Sequence, residues 1–168
     1  MISYSNLVAK PEQFRKVCGL TPSEFAYLCN EFDYHWTNYH RYHTLEGRKR
    51  SYPASRERSG ASLAGSETKL LFLLSYLKTY PPQEYHAFCF GISQAKVSIW
   101  VKVLKQILDK SLERLGCMPC QTTAELAKQM RKLGVDTVSM DVTERMVPRA
   151  TDAEVQKTYY SGKKKTYW

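Results

Sequence analysis

The apolar positions of this chain recur mostly at helical spacing. Pro11 suits the first turn of a helix that carries Phe14, Val17 and Cys18, and Gly19 closes it. Thr21, Pro22 and Glu24 resemble a capping box, opening a second helix with Phe25, Leu28, Cys29 and Phe32 on one side. The segment DYHWTNYHRY is dense in aromatics. Tyr34, Trp36, Tyr39 and Tyr42 suit packing across helices, with stacking on bases as the alternative, and His35, His40 and His43 are expected to face solvent. Ser66 is placed to cap a helix bearing Leu70, Leu71, Phe72, Leu73, Leu74 and Leu77, apolar on most sides and so expected at the centre of a bundle. Pro81 and Pro82 stop it.

The stretch from Pro81 to Leu108 has the outline of a helix-turn-helix. Gln83 to Phe90 carries apolar Tyr85, Ala87, Phe88 and Phe90; Gly91 suits a helix end, Ile92 a buried turn position, and Ser93 an N-cap. The next helix places Val97, Trp100, Val101, Leu104, Ile107 and Leu108 on one face. Ser93, Gln94, Lys96, Ser98 and Lys102 are left outward near its start, where they can reach base edges or phosphates. The same pattern also fits a plain helical hairpin within a core. The second helix is expected to run to Leu115 and end at Gly116, and Thr123 to cap a short helix closed by Gly134. From Val135 the period changes. VDTVSMDVTERMV alternates, with Val138, Met140 and Val142 on one side, which predicts a strand. Residues 148–154 make a polar connection to a second β-prone segment, TYYSGKKKTYW.

Charge narrows the partner. A net charge of +9 over 168 residues, with a pI near 9.3, points to a polyanion, and nucleic acid is the expected one. No strongly basic amphipathic helix favours a membrane surface, and the longest apolar run, Leu70 to Leu77, is too short to span a bilayer. MISYSNLVAKPEQF lacks the features of a signal peptide, so a cytoplasmic, nucleoid-associated location is expected. The cysteines, Cys18, Cys29, Cys89, Cys117 and Cys120, are odd in number and scattered, which argues for free thiols. Cys117 and Cys120 form half of a zinc pattern that His40 and His43 would have to complete; a helix end and turn is the simpler account. Residues 46–66, with Arg48, Lys49, Arg50, Arg56 and Arg58 among Pro, Gly and Ser, read as a flexible basic linker, either a solvated spacer or an arm along phosphates.

Asp141 sits inside the predicted strand, where a carboxylate needs a task or a partner. Beyond it Lys157, Lys163, Lys164 and Lys165 accompany Tyr159 and Tyr160. An aspartate beside such a segment suits metal-assisted phosphodiester chemistry, and equally a salt-bridged edge strand.

MDVTERMVPRATDAEVQKTYYSGKKKTYW resembles the first catalytic block of bacterial insertion-sequence transposases of the DDE superfamily, which have a D-G-T-E-R strand, a connection with proline, and Q-K-x-Y-Y-S-G-K-K-K. ETKLLFLLSYLKTYPPQEYHAFCFGISQAKVSIWVKVL resembles their helix-turn-helix, and LTPSEFAYL their N-terminal region. The resemblance implies a mainly α chain: a helical bundle with a helix-turn-helix, followed by a truncated β-hairpin that begins an RNase H-like α/β domain. The implied organisation is N-terminal helices over 1–45, a basic linker over 46–66, the helix-turn-helix region over 67–116, a connector over 117–134 and the first nuclease strands over 135–168. It implies that Asp141 is the first member of the acidic, Mg²⁺-binding triad, that Arg48, Lys49, Arg50, Lys163, Lys164 and Lys165 join the helix-turn-helix residues on DNA, and that the partner is the terminal inverted repeat of a transposon. The chain departs from the family pattern at Val142, in place of glycine, at Ile99, where arginine is frequent, in the order around Pro148, and after Lys165.

The triad's other carboxylates are expected downstream of Trp168, so a truncated or split enzyme is expected, one that binds transposon ends without cutting them alone. It would act as a homo-oligomer or with full-length transposase, with no membrane partner. Frameshifting that restores the missing half, and a stand-alone helix-turn-helix regulator, are the alternatives.

Overall fold

The computed structural model describes residues 2–55, 63–137, 151–161 and 166–167, and within these the protein is mainly helical. The helices are α1 (Tyr4–Val8), α2 (Pro11–Cys18), α3 (Pro22–Tyr42), α4 (Ser66–Thr79), α5 (Gln83–Phe90), α6 (Gln94–Arg114), α7 (Thr123–Leu133) and α8 (Ala153–Tyr159). Two short strands, β1 (Tyr160–Ser161) and β2 (Thr166–Tyr167), pair antiparallel with Tyr160 opposite Tyr167. The chain divides into two compact units, Met1–Pro119 and Cys120–Trp168.

Local chemistry sets most of the first unit's boundaries. Pro11 occupies the first turn of α2, and Gly19 ends it at φ 88°, in the left-handed region. Thr21 and Glu24 cap α3 reciprocally: Oγ1 of Thr21 accepts from the Glu24 N–H at 3.3 Å, and the Glu24 carboxylate accepts from the Thr21 N–H at 2.8 Å. That bond, then one from the Thr21 hydroxyl, holds the Glu24 carboxyl below its ordinary value. α3 continues through the whole aromatic segment, and Trp36 is buried on its inner face while Tyr34 and Tyr42 are exposed. Asn and aromatic residues have modest helix propensity, but the face carrying Phe25, Leu28, Phe32 and Trp36 has a core to meet.

α4 is the central helix. Lys69, Leu70, Leu71, Phe72, Leu73 and Tyr76 are buried around it, while Glu67 at its start and the last turn, with the expected core residue Leu77, are exposed. Its N-cap is Gly65 rather than Ser66; the Ser66 hydroxyl instead donates to the Asp33 carboxylate on α3. α4 ends at Tyr80, which adopts φ 44° before the two prolines. α5 buries His86, Ala87 and Phe90 but exposes Tyr85 and Phe88. α6 buries Val97, Trp100, Val103, Leu104, Ile107, Leu108 and Ser111. Val103 takes the flank expected of Val101, which is only half-buried, because the buried arc is centred nearer Leu104.

The second unit departs further from the sequence pattern. Residues 135–137 form no strand, and 138–150, including Asp141, lie outside the described residues. The connection ends in a helix: the Asp152 carboxylate accepts from the N–H groups of Glu154 and Val155, both at 3.0 Å, and launches α8, which runs into the β-prone segment as far as Tyr159. α7 is capped by a Thr122–Glu125 box, one residue before the expected Thr123.

His86 is a buried titratable group in the first unit. Its Nε2–H donates to the Phe72 carbonyl at 3.1 Å, and its ring packs among Phe72, Tyr76 and Phe90. Burial pushes its pKa down, against the opposing pull of the Phe72 carbonyl. The unfolded chain therefore takes up a proton more readily than the fold. Stability from neutral His86 is complete above its ordinary value of about 6.5 and is lost as pH falls through the lower folded-state value. The urea midpoint should fall between about pH 7.5 and about pH 5, and His86→Gln, which keeps a donor but does not titrate, should flatten that fall; an equally steep fall in the variant would disprove the assignment. Trp100→Ala should cost about 3–5 kcal/mol of unfolding free energy by removing a buried indole, measured by urea denaturation.

Candidate nucleic-acid interface

α5 and α6 meet at a bend of 90° across Gly91, Ile92 and Ser93. This is the low end of the about 90–120° range of helix-turn-helix units. Gly91 makes the turn possible. It sits at φ 66°, ψ 34°, a region a side chain rarely adopts, and the following Ile92 N–H returns to the Ala87 carbonyl at 3.0 Å. Ile92 packs half-buried against the core, as its apolar character requires. Ser93 occupies the N-cap of α6 with extended backbone, and its carbonyl accepts from the N–H groups of Lys96 and Val97. Its hydroxyl makes no capping bond, so the expected side-chain cap is absent.

Ser93, Gln94, Lys96, Ser98 and Lys102 are all exposed. They do not share one face. Gln94, Ser98 and Lys102 follow at four-residue steps and form one outward row, whereas Lys96 projects from another side of the first turn. Lys105 and Gln106 extend the exposed side; sequence inspection missed them, although Gln106 continues the four-residue row and Lys105 follows Lys102 by three residues. Lys105 pairs with Asp109 at 2.9 Å in the open, an interaction of little energy. No Asp or Glu occurs between Gln94 and Leu108, so the positive end of the α6 dipole carries no neutralising carboxylate in its first turn. Gln94 is itself held: its Nε2 donates to Oε1 of Gln83, the first residue of α5, at 2.8 Å.

The expected basic linker begins as a tight turn on the end of α3. His43 bridges Lys49, the Thr44 N–H donates to the Arg48 carbonyl at 2.8 Å, and the Arg50 N–H donates to the Tyr42 carbonyl at 2.8 Å. Nε of Arg50 donates to the carbonyls of His40 (3.1 Å) and His43 (2.9 Å), closing the C-terminal end of α3. Arg50 is thus a helix cap, while Arg48 and Lys49 stay exposed. Arg56, Arg58, Lys163, Lys164 and Lys165 lie outside the described residues. Lys157 is exposed on α8 beside Glu154 at 2.8 Å.

The remaining candidate chemistry is not assembled. Among the described residues no group of three His, Cys, Asp or Glu side chains comes together to hold a metal ion, and Asp141 lies outside them. The thiols are free: Cys117 and Cys120 are exposed, while burial, with Glu67 and then Asp33 nearby, pushes the Cys29 thiol up to about 12, far from a nucleophile. No single helix among the described residues is long and apolar enough to cross a membrane. α5 and α6 together meet that test by length and composition, but the apolar face of α6 is spent on the protein core. No protein-family model matches the chain, and neither a curated protein nor a solved structure matches it.

The two roles assigned within the basic turn separate experimentally. Arg50→Ala should lower stability by on the order of 1 kcal/mol through loss of charged hydrogen bonds, whereas Arg48→Ala and Lys49→Ala should leave the melting curve unchanged; equal behaviour of the three variants would contradict the cap.

Proposed function

We propose that this chain is the DNA-binding portion of a DDE-type transposase, and that it engages transposon-end DNA through α5 and α6. The observation that carries the proposal is the 90° α5–α6 unit presenting an exposed polar row, Gln94, Ser98 and Lys102, on a helix whose first four turns hold no acid. The net charge of +9 and the two sequence blocks around LKTYPPQE and YYSGKKK support it. In this reading α5 crosses the phosphate backbone and the start of α6 enters the major groove. Lys102 and the exposed Arg48 and Lys49 neutralise phosphates, with Lys163, Lys164 and Lys165 as further contacts. Residues 135–168 would begin an RNase H-like domain with Asp141 as the first acid of its triad. Two divalent ions about 4 Å apart need several shared carboxylates. Asp141 is the one position here that matches the family's triad, so in this reading the chain binds DNA ends, as a homo-oligomer or beside full-length enzyme, and cutting calls for further carboxylates.

Gel retardation with double-stranded inverted-repeat DNA tests this. Binding through roughly five to eight phosphates should weaken with salt at a log–log slope near −0.9 per contact, and Lys102→Ala should make that slope shallower by about one. Added Mg²⁺ should leave the DNA intact. No retention at low salt would remove the proposal, and nicks lost on Asp141→Ala would overturn its non-cutting part.

A further inference from the structure

Resting on the reading of α5–α6 as a DNA-binding unit, we infer that Gln94 recognises an adenine in the major groove and that Gln83 is the positioning residue that presents its amide. Gln83 and Gln94 are the first residues of their helices, brought together by the turn at Gly91. The Gln94 side chain is exposed, and its Nε2 donates one hydrogen to Oε1 of Gln83 at 2.8 Å. An unattached glutamine rotates about its last torsion and offers either end of its amide to a base. This bond removes that freedom. One N–H is taken, which leaves one N–H donor beside one carbonyl acceptor on a side chain whose orientation is set.

That remaining pair is the complement of a single base edge. Adenine presents the N7 acceptor beside the N6 amino donor, and a glutamine amide meets both at once. Guanine offers two acceptors, N7 and O6, so the Gln94 carbonyl would face an oxygen. Cytosine and thymine each offer one polar group there. The place in the fold suits the task, because the first turn of the second helix is the part that reaches base edges in such units. The surroundings keep the amide available: no carboxylate occurs between Gln94 and Leu108 to capture its N–H, and Ser98 and Lys102 continue the row one and two turns further. Gln83 is half-buried, which makes it a firmer anchor than an exposed side chain.

The test is selection of bound duplexes by the full chain from a DNA library randomised over one helical turn, followed by sequencing. The expected result is one position at which adenine is preferred by at least about 5-fold. Gln94→Ala should abolish preference at that position while leaving the others. Gln83→Ala should broaden the same position. Gln83→Glu keeps an oxygen facing Gln94, so it should retain the adenine preference while lowering affinity for every sequence. Preferences unaltered by Gln94→Ala, or a Gln83→Glu pattern as broad as that of Gln83→Ala, would overturn the inference. Retention of duplexes with no base preference would overturn this inference and leave DNA binding standing; no retention of any duplex at low salt would overturn both.

Discussion

The indoles of Trp36 and Trp100 lie 5.5 Å apart, and the ammonium of Lys69 sits against both, 5.0 Å from the first ring and 5.9 Å from the second. Three helices, α3, α4 and α6, meet at that point. Lys69 is fully buried and also donates to the Gly65 carbonyl at 3.2 Å, which offsets part of the cost of taking its head group out of water. The aromatic faces are bulky and planar, so α6 cannot slide along α3 without parting the rings. Farther along, Arg114 meets Glu31 at 3.1 Å and lies over the Tyr34 ring at 4.6 Å. Those contacts are partly exposed and individually weak, but they hold the far end of α6. At its near end the Gln83–Gln94 bond does the same. α6 is thus fixed at its start, middle and end, and the direction of its outer row follows from packing on its inner face.

The turn before α6 carries a different kind of constraint. Gly91 in a left-handed conformation and Ile92 tucked toward the core fix the 90° bend by backbone geometry and one apolar contact. A hydroxyl cap on Ser93 would have tied up a polar side chain at the tip; its absence leaves that hydroxyl uncommitted to the helix. Gln94, Ser98 and Lys102 are exposed on one side of α6, and Tyr85 and Phe88 are open on its partner helix.

Where the sequence was legible, the signal was local. Pro11 with Gly19, Thr21 with Glu24, and Gly91 before Ser93 mark helix ends by hydrogen-bonding and steric rules that need no tertiary context. The leucine-rich α4 declared itself central because it is apolar all round. Illegible features depend on distant partners. Arg50 looked like one more cation in a basic run, and only the fold brings the carbonyls of His40 and His43 to it. Ser66 looked like a cap, but Asp33, far away in sequence, takes its hydroxyl. Lys69 and His86 are polar residues that no periodicity rule would bury. The Gln83–Gln94 pair was also hidden, since neither glutamine is distinctive until the turn places them side by side. Asp152 was legible and missed: an aspartate ahead of Ala-Glu-Val is a start signal for α8.

The division of the chain bears on which part can act independently. The hydrophobic core that orients α6 draws on residues from Ile2 to Leu115 and on none after them among those described. The boundary between the compact units falls after Pro119. Among the described residues, the geometry of the α5–α6 surface is therefore set by packing within Met1–Pro119.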